Sequence, residues 1–332
     1  MPCMKTLIKR LVMLAVLVAL VGTGGLMWYG NAPLHFEPLP KIINVAPGAH
    51  LRSLSGVLER EGVIGNARVF WLLGRVMGKG GTLKVGVYTL DKPLTPLELL
   101  AKIERGEISQ AIVRFTEGWS WREIRAVLAA QPLLLNESAA MSDAELLRAI
   151  GAEETHLEGL LFPDTYFYSP HTSDINVLRR AYQLQHEKLM AAWEKRAPGL
   201  PYRTPYEALI MASIVEKETG AAFERPQIAG VFLNRLKLGM RLQTDPTVIY
   251  GLGADFDGNL RKVDLQSDTP YNTYTRTGLP PTPIAMPSEA AIQAALNPAS
   301  TDALYFVARG NGTHIFSSTL DAHNQAVNRF QR

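Results

Sequence analysis

Met211-Ala-Ser-Ile-Val-Glu-Lys-Glu-Thr-Gly220 sets two glutamates at the end of an apolar run. On a helix turning about 100° per residue, Met211, Ile214 and Val215 fall within about 60° of Glu218, whereas Glu216 lies roughly 200° away beside Leu209, Ala212 and Ser213. The two carboxylates are therefore expected to meet different environments. Gly220 reads as the C-cap, which leaves Glu218 in the last turn, where the negative end of the helix dipole disfavours an anion. Desolvation acts in the same direction. A carboxyl so placed stays protonated near neutral pH and can donate to a leaving oxygen. The competing reading is structural, with Glu218 reaching past the core edge toward Lys217 or Arg225.

Around this helix the pattern is mostly helical: Asp143 to Ile150, Asn176 to Lys195, Pro205 to Thr219, and Arg225 to Leu238 closed by Gly239. Ala303 to Ala308 and His314 to Ser317 read as a hairpin, and Thr319 to Phe330 as a closing helix. Helices are grouped before strands, so the expected class is α+β rather than alternating α/β.

At the N-terminus, Lys5, Lys9 and Arg10 precede an uncharged run from Leu11 to Gly30 that ends near Trp28-Tyr29. About twenty such residues span a bilayer. Basic residues before and aromatic residues after predict a cytoplasmic N-terminus and an exported remainder. An uncleaved anchor over 11–30 is favoured; a signal peptide cut near Gly22-Thr23-Gly24-Gly25 is the alternative. Cys3 is the single cysteine, so no intrachain disulfide or cysteine metal site is possible. The net charge of +3 offers nothing to nucleic acid. Gly78-Lys79-Gly80-Gly81 lacks P-loop spacing and reads as a turn before a strand from Leu83 to Leu90.

Pro33, Pro38 and Pro40 mark residues 31–41 as an extended linker. Next comes a repeated pattern: Val45-Ala-Pro-Gly48 leading to Leu51, Leu54, Val57 and Leu58 is matched by Phe115-Thr-Glu-Gly118 leading to Trp121, Ile124, Val127 and Leu128. Each copy predicts a strand, a glycine turn and a helix. Helices are also expected near Ala67 to Val76 and from Thr95 to Arg105, with Thr95 as N-cap and Pro96 at N1. Residues 42–130 are thus expected to form a small α/β module, suited to an extended polymer or purely to structural support. A larger domain follows over 131–332.

Four stretches combine aromatics with small hydrogen-bonding residues: 157–166, 234–250, Tyr271-Asn-Thr-Tyr274 and 278–284. Such a mixture suits a saccharide groove, although turns and caps would use the same residues. The histidines never occur as HxxxH or HxH, which leaves a zinc site without support. Ser213 lacks a G-x-S-x-G setting. A two-carboxylate glycosidase pairing Glu218 with Asp245 or Asp164 stays open.

The stretches EGLLFPDTYFY, MASIVEKETG, VFLNRLKLGMRLQTDPTVIYGLG, YNTYTRTGLPP and LYFVARGNGTHIFSSTLDAHN, in this order across 158–324, resemble the endolytic murein transglycosylases of the MltG (YceG-like) family. The resemblance implies a membrane anchor, a LysM-like module over 42–130 and a catalytic domain over 131–332. It implies that Glu218 is catalytic and that the β-1,4 bond between N-acetylmuramic acid and N-acetylglucosamine is cut inside nascent peptidoglycan strands. It further implies 1,6-anhydro ends, no metal or cofactor, and work at the cytoplasmic membrane near peptidoglycan synthases. Resemblance and composition together put Gln243, Thr244, Asp245, Tyr271 and Asn272 around the sugars, with Glu158 and Asp164 supporting them. The chain departs from the family at Thr282 and Ser288, where relatives often carry glycine. A muramidase using water, and a non-catalytic tethered glycan-binding scaffold, are the alternative functions.

Overall fold

The computed structural model describes residues 2–331 apart from 80 and 82, so the turn expected at 78–81 lies partly outside the described residues. The chain divides into two compact units, Met1–Ala111 and Ile112–Arg332.

The first unit begins with α1 (Pro2–Asn31). Lys9–Asn31 is long and apolar enough to cross a membrane, and Leu11, Leu14, Leu17 and Leu20 are all exposed along it. Its last turns bury Leu26 in a core shared with Leu73 and Leu99. Leu34 and Phe36 enter the same core, and Leu34 N donates to Leu94 O at 2.9 Å. Residues 31–41 are therefore packed rather than a free spacer: the apolar side chains between the prolines decide the matter. β1 (Lys41–Val45) pairs antiparallel with β2 (Gly86–Leu90), Lys41 opposite Leu90. The strand expected from Leu83 starts three residues later, at Gly86. Helices α2 (Leu51–Arg60), α3 (Ala67–Val76) and α4 (Pro96–Arg105) cover this hairpin-like pair. Thr95 caps α4 as expected, accepting from Glu98 N, and Gly106 ends it in the left-handed region.

β3 (Ala111–Arg114) crosses from the first unit into the second, and α5 (Trp121–Ala129) follows it. Gly118 between them has φ 75°, matching φ 76° at Gly48 before α2, so the two copies of the repeat share local form. They do not share a unit, however. Residues 112–130 join the larger body because their bonds run forward: Phe115 N donates to Asp164 O at 2.9 Å and Gly118 N to Met286 O at 2.8 Å. The expected boundary after residue 130 thus falls inside this unit.

Four short pieces follow, β4 (Leu134–Leu135), α6 (Asp143–Ile150), β5 (Thr165–Tyr168) and β6 (Thr172–Ser173); β3 pairs with β5, and β4 runs parallel to β6. The centre is α8 (Pro205–Glu218), in which every residue from Ala208 to Val215 is buried. A helix apolar all round belongs in the interior. It is wrapped by α7 (Asp174–Glu194), α9 (Arg225–Lys237), α10 (Asp245–Leu252) and α12 (Glu289–Leu296). The short α11 (Lys262–Gln266) packs on α10. The chain closes with the antiparallel hairpin β7 (Tyr305–Ala308) and β8 (His314–Ser317), then α13 (Leu320–Phe330). Helices around small two-stranded sheets make a mixed α+β fold.

Gly220 does not form the expected C-cap. Thr219 leaves the helix extended, at φ −143° and ψ 133°, and its Oγ1 accepts from Ala221 N at 3.0 Å. The side chain of Thr219 supplies the turn that a left-handed glycine would otherwise make.

Candidate functional site

The last turn of α8 delivers Glu218 into a cavity of about 540 Å³. Gln243, Asp245, Tyr274, Tyr305, His314 and His323 line it with Glu218. Glu218 is half-buried, and Thr244 Oγ1 donates to its Oε1. Burial is the main reason its carboxyl rises to about 7; the Thr244 hydroxyl opposes this, and the nearby negative charge of Asp245 adds to it. At neutral pH such a group is poised between acid and conjugate base.

Glu216, two residues earlier, has a different task. Ser288 N donates to its Oε2 at 2.9 Å, Ser288 Oγ donates to the same oxygen, and Arg225 Nη2 lies 3.4 Å from Oε1. It is a buried, paired carboxylate that ties α8 to the start of α12. The contrast expected from the helical projection is present, although Glu216 reaches no solvent face.

The segment 243–245 is held against the glutamate from behind. Gln243 takes φ 50°, a conformation uncommon for a non-glycine residue, and its N–H donates to Thr273 O at 3.1 Å. Thr244 N donates to Thr273 Oγ1 at 3.0 Å. Asp245, the first residue of α10, accepts from Tyr274 OH at 2.5 Å. The structure thus brings Gln243, Thr244 and Asp245 to Glu218.

Four other expected residues lie elsewhere. Asn272 is fully buried; its Nδ2 donates to the carbonyls of Asp264, Leu265 and Ser267, and its Oδ1 accepts from Tyr274 N. With donors and acceptor committed to backbone, it shapes the loop that carries Tyr274 and is not among the residues lining the Glu218 cavity. Asp164 is exposed before β5 and accepts from Thr165 N, a local turn contact outside both cavities. Glu158 and Tyr271 line a second cavity, of about 640 Å³. Glu158 accepts from Trp121 N at 3.0 Å and from Tyr250 OH at 3.1 Å, and burial, only partly offset by these bonds, raises it to about 7. Gly159 must lack a side chain, since a Cβ there would sit 2.4 Å from Pro283 Cβ.

Sequence reasoning did not single out Tyr274, Arg235 or the pair His314 and Glu224. Arg235 is buried, donates to the carbonyls of Leu304 and Leu242 at 2.7 Å each, and packs beneath the Tyr305 ring. His314 Nδ1 lies 2.7 Å from Glu224 Oε2, which fixes the imidazole at the cavity wall. Tyr274 was within reach, as it ends the quoted YNTY stretch. The His314 and Glu224 partnership spans 90 residues and leaves no local signal. Thr282 and Ser288, the departures from the family pattern, are both engaged: Thr282 Oγ1 bonds Tyr271 OH at 2.9 Å, and Ser288 caps α12.

Residues 43–329 match the family model described as the YceG-like family. The chain is 32% identical to the endolytic murein transglycosylase of Bacillus subtilis (strain 168), over 92% of this chain and 90% of that one. It is 27% identical to the endolytic murein transglycosylase of Streptococcus pneumoniae serotype 2 (strain D39), covering 94% of this chain but 63% of that longer protein. A crystal structure of a YceG-like protein from Listeria monocytogenes aligns with a TM-score of 0.54 at 30% identity, over 86% of this chain and 98% of that one.

Proposed function

The chain belongs to the YceG-like family, and from that premise we propose that it is an endolytic murein transglycosylase whose acid is Glu218. The observation that carries this reading is the position of Glu218, at the end of a buried helix, opening into a cavity with its carboxyl raised to about 7. The substrate is a peptidoglycan glycan strand. Glu218 gives its proton to the glycosidic oxygen as the bond from C1 of N-acetylmuramic acid to that oxygen breaks. The resulting carboxylate takes the proton of the C6 hydroxyl as O6 bonds to C1. The products are a free N-acetylglucosamine hydroxyl and a 1,6-anhydro end, and Glu218 is protonated again. Water takes no part. The sugar's own hydroxyl is the nucleophile, so orientation replaces a second catalytic carboxylate.

Thr244 steadies the anionic form of Glu218 between the two proton transfers. Asp245 shares the cavity and keeps negative charge near a positively charged, oxocarbenium-like C1. Its presence also favours the second reading, a hydrolase in which Asp245 would position water. The two are separated by the product: anhydro ends from intact chain and none from Glu218→Gln support the transglycosylase, whereas reducing ends support the hydrolase.

In this reading α1 anchors the chain in the cytoplasmic membrane with the N-terminus inside and the remainder outside. The first unit acts as a LysM-like glycan-binding module, and neighbouring synthases supply the nascent strand.

A further inference from the structure

The last turns of α1 belong to the body of the first unit. Leu26 is buried with Leu73 and Leu99, and a Cβ at Gly30 would lie 3.1 Å from Leu97 Cγ and 3.2 Å from Leu73 Cδ1. Leu11 to Gly30 supplies the roughly 20 apolar residues that cross a hydrocarbon layer. At about 1.5 Å per residue, Leu26 then stands roughly 6 Å inside the far edge of that layer. Helix α3, which carries Leu73, therefore meets α1 at the level where hydrocarbon gives way to headgroups.

Going round α3 from Leu73 at about 100° per residue, Val69 and Val76 come about 40° and 60° away and Leu72 about 100°. Arg68 and Arg75 follow at about 140° and 160° on the same side, whereas the buried Phe70 and Gly74 lie on the other. Leu72 is 45% and Val76 54% exposed, and both arginines are exposed. No acidic residue occurs in α3. The ion pairs of the first unit among the described residues join Lys41 to Glu61, Lys79 to Glu104 and Arg105 to Glu107, which leaves Arg68 and Arg75 without a carboxylate partner. The Arg75 guanidinium lies 5.6 Å from the centre of the Trp71 ring. An apolar strip that starts at the span and is edged by cations and an indole is the pattern of a helix lying in a bilayer interface.

We propose that this strip is a membrane-docking surface: Leu72 and Val76 enter the edge of the bilayer, and Arg68 and Arg75 bind the phosphates of anionic lipid headgroups. The phosphates pair guanidinium groups that no carboxylate pairs, and the acyl edge covers the exposed apolar side chains. The first unit is thereby fixed against the bilayer surface rather than swung from a flexible tether. This inference rests on the reading of α1 as a membrane anchor.

The test uses the full chain in lipid nanodiscs, with Cys3→Ser and one new cysteine, Leu72→Cys or Val76→Cys, carrying a nitroxide. Collision rates with oxygen, which concentrates in lipid, and with a water-soluble nickel chelate give a ratio that reports depth. In discs containing phosphatidylglycerol, the ratio at both positions is expected to be at least about threefold that of a free nitroxide in buffer, as for side chains about 5–10 Å into an interface. Phosphatidylcholine alone, or Arg68→Gln together with Arg75→Gln, is expected to lower it at least about twofold. Both arginines are exposed, so the double variant keeps the fold. An aqueous ratio at either position, or a ratio unchanged by the lipid or by the arginine substitutions, overturns the docking surface. Failure of the anchor reading appears separately, as an aqueous ratio at a nitroxide on Leu17→Cys within α1.

Discussion

Thr244 Oγ1 donates to Glu218 Oε1, joining the first loop residue before α10 to the last residue of α8. The bond favours the ionised carboxylate, in opposition to the burial that dominates. Thr244→Val keeps the shape of this buried residue and removes the hydroxyl. The acid form, and the activity that needs it, should then persist to higher pH. Rates of strand cleavage between pH 5 and 9 should fall as pH rises through about 7 in the parent and at higher pH in the variant. A coincident alkaline limb would show that Thr244 does not tune the acid.

The same burial sets a cost in stability. The Glu218 carboxyl is raised from 4.5 to about 7 on folding, so the folded chain binds more protons than the unfolded chain between these values. Its stability contribution is full below the unfolded value and is lost as pH rises through the folded one. Glu218→Gln should therefore stabilise the second unit at pH 8, by about 1 to 3 kcal/mol after allowing for partial solvent access, and change little below pH 4. Thermal melts at the two pH values measure this.

Glu216 should behave in the opposite way. Glu216→Ala strands the buried Arg225 guanidinium and frees Ser288 at the start of α12. The expected loss is about 3 to 5 kcal/mol, read by denaturant unfolding. Two glutamates two residues apart on one helix would thus be separated into a stabilising residue and a reactive one.

Asn272→Ala removes the donor to three backbone carbonyls and the acceptor for Tyr274 N. It should lower stability by about 2 to 4 kcal/mol and shift Tyr274 relative to Asp245. Strand cleavage per folded molecule should fall less than about tenfold. Loss of cleavage with unchanged unfolding would return Asn272 to the groove.

What the sequence made legible was whatever depends on local order. The periodicity of 211–218 located the central helix and distinguished Glu218 from Glu216, and Thr95 with Pro96 marked the start of α4. The repeat around Gly48 and Gly118 identified two strand–turn–helix units of the same form, but which body each joins depends on bonds such as Gly118 N to Met286 O. Long-range partners hid the rest. Glu158 meets Trp121 and Tyr250 across 37 and 92 residues, so neither its burial nor the second cavity has a local signature. Asn272 was misplaced because an asparagine among tyrosines signals a ligand contact and a loop knot equally well. Gly220 was given the turn that Thr219 makes.

Whether Glu218 is the acid of a lytic cleavage is decided by mass spectrometry of the products that the full chain, and its Glu218→Gln variant, release from uncrosslinked glycan strands. The expected result is internal cleavage with 1,6-anhydro-muramic ends from the parent and neither product nor new ends from the variant. Reducing ends from the parent, or anhydro ends that persist in the variant, would contradict it.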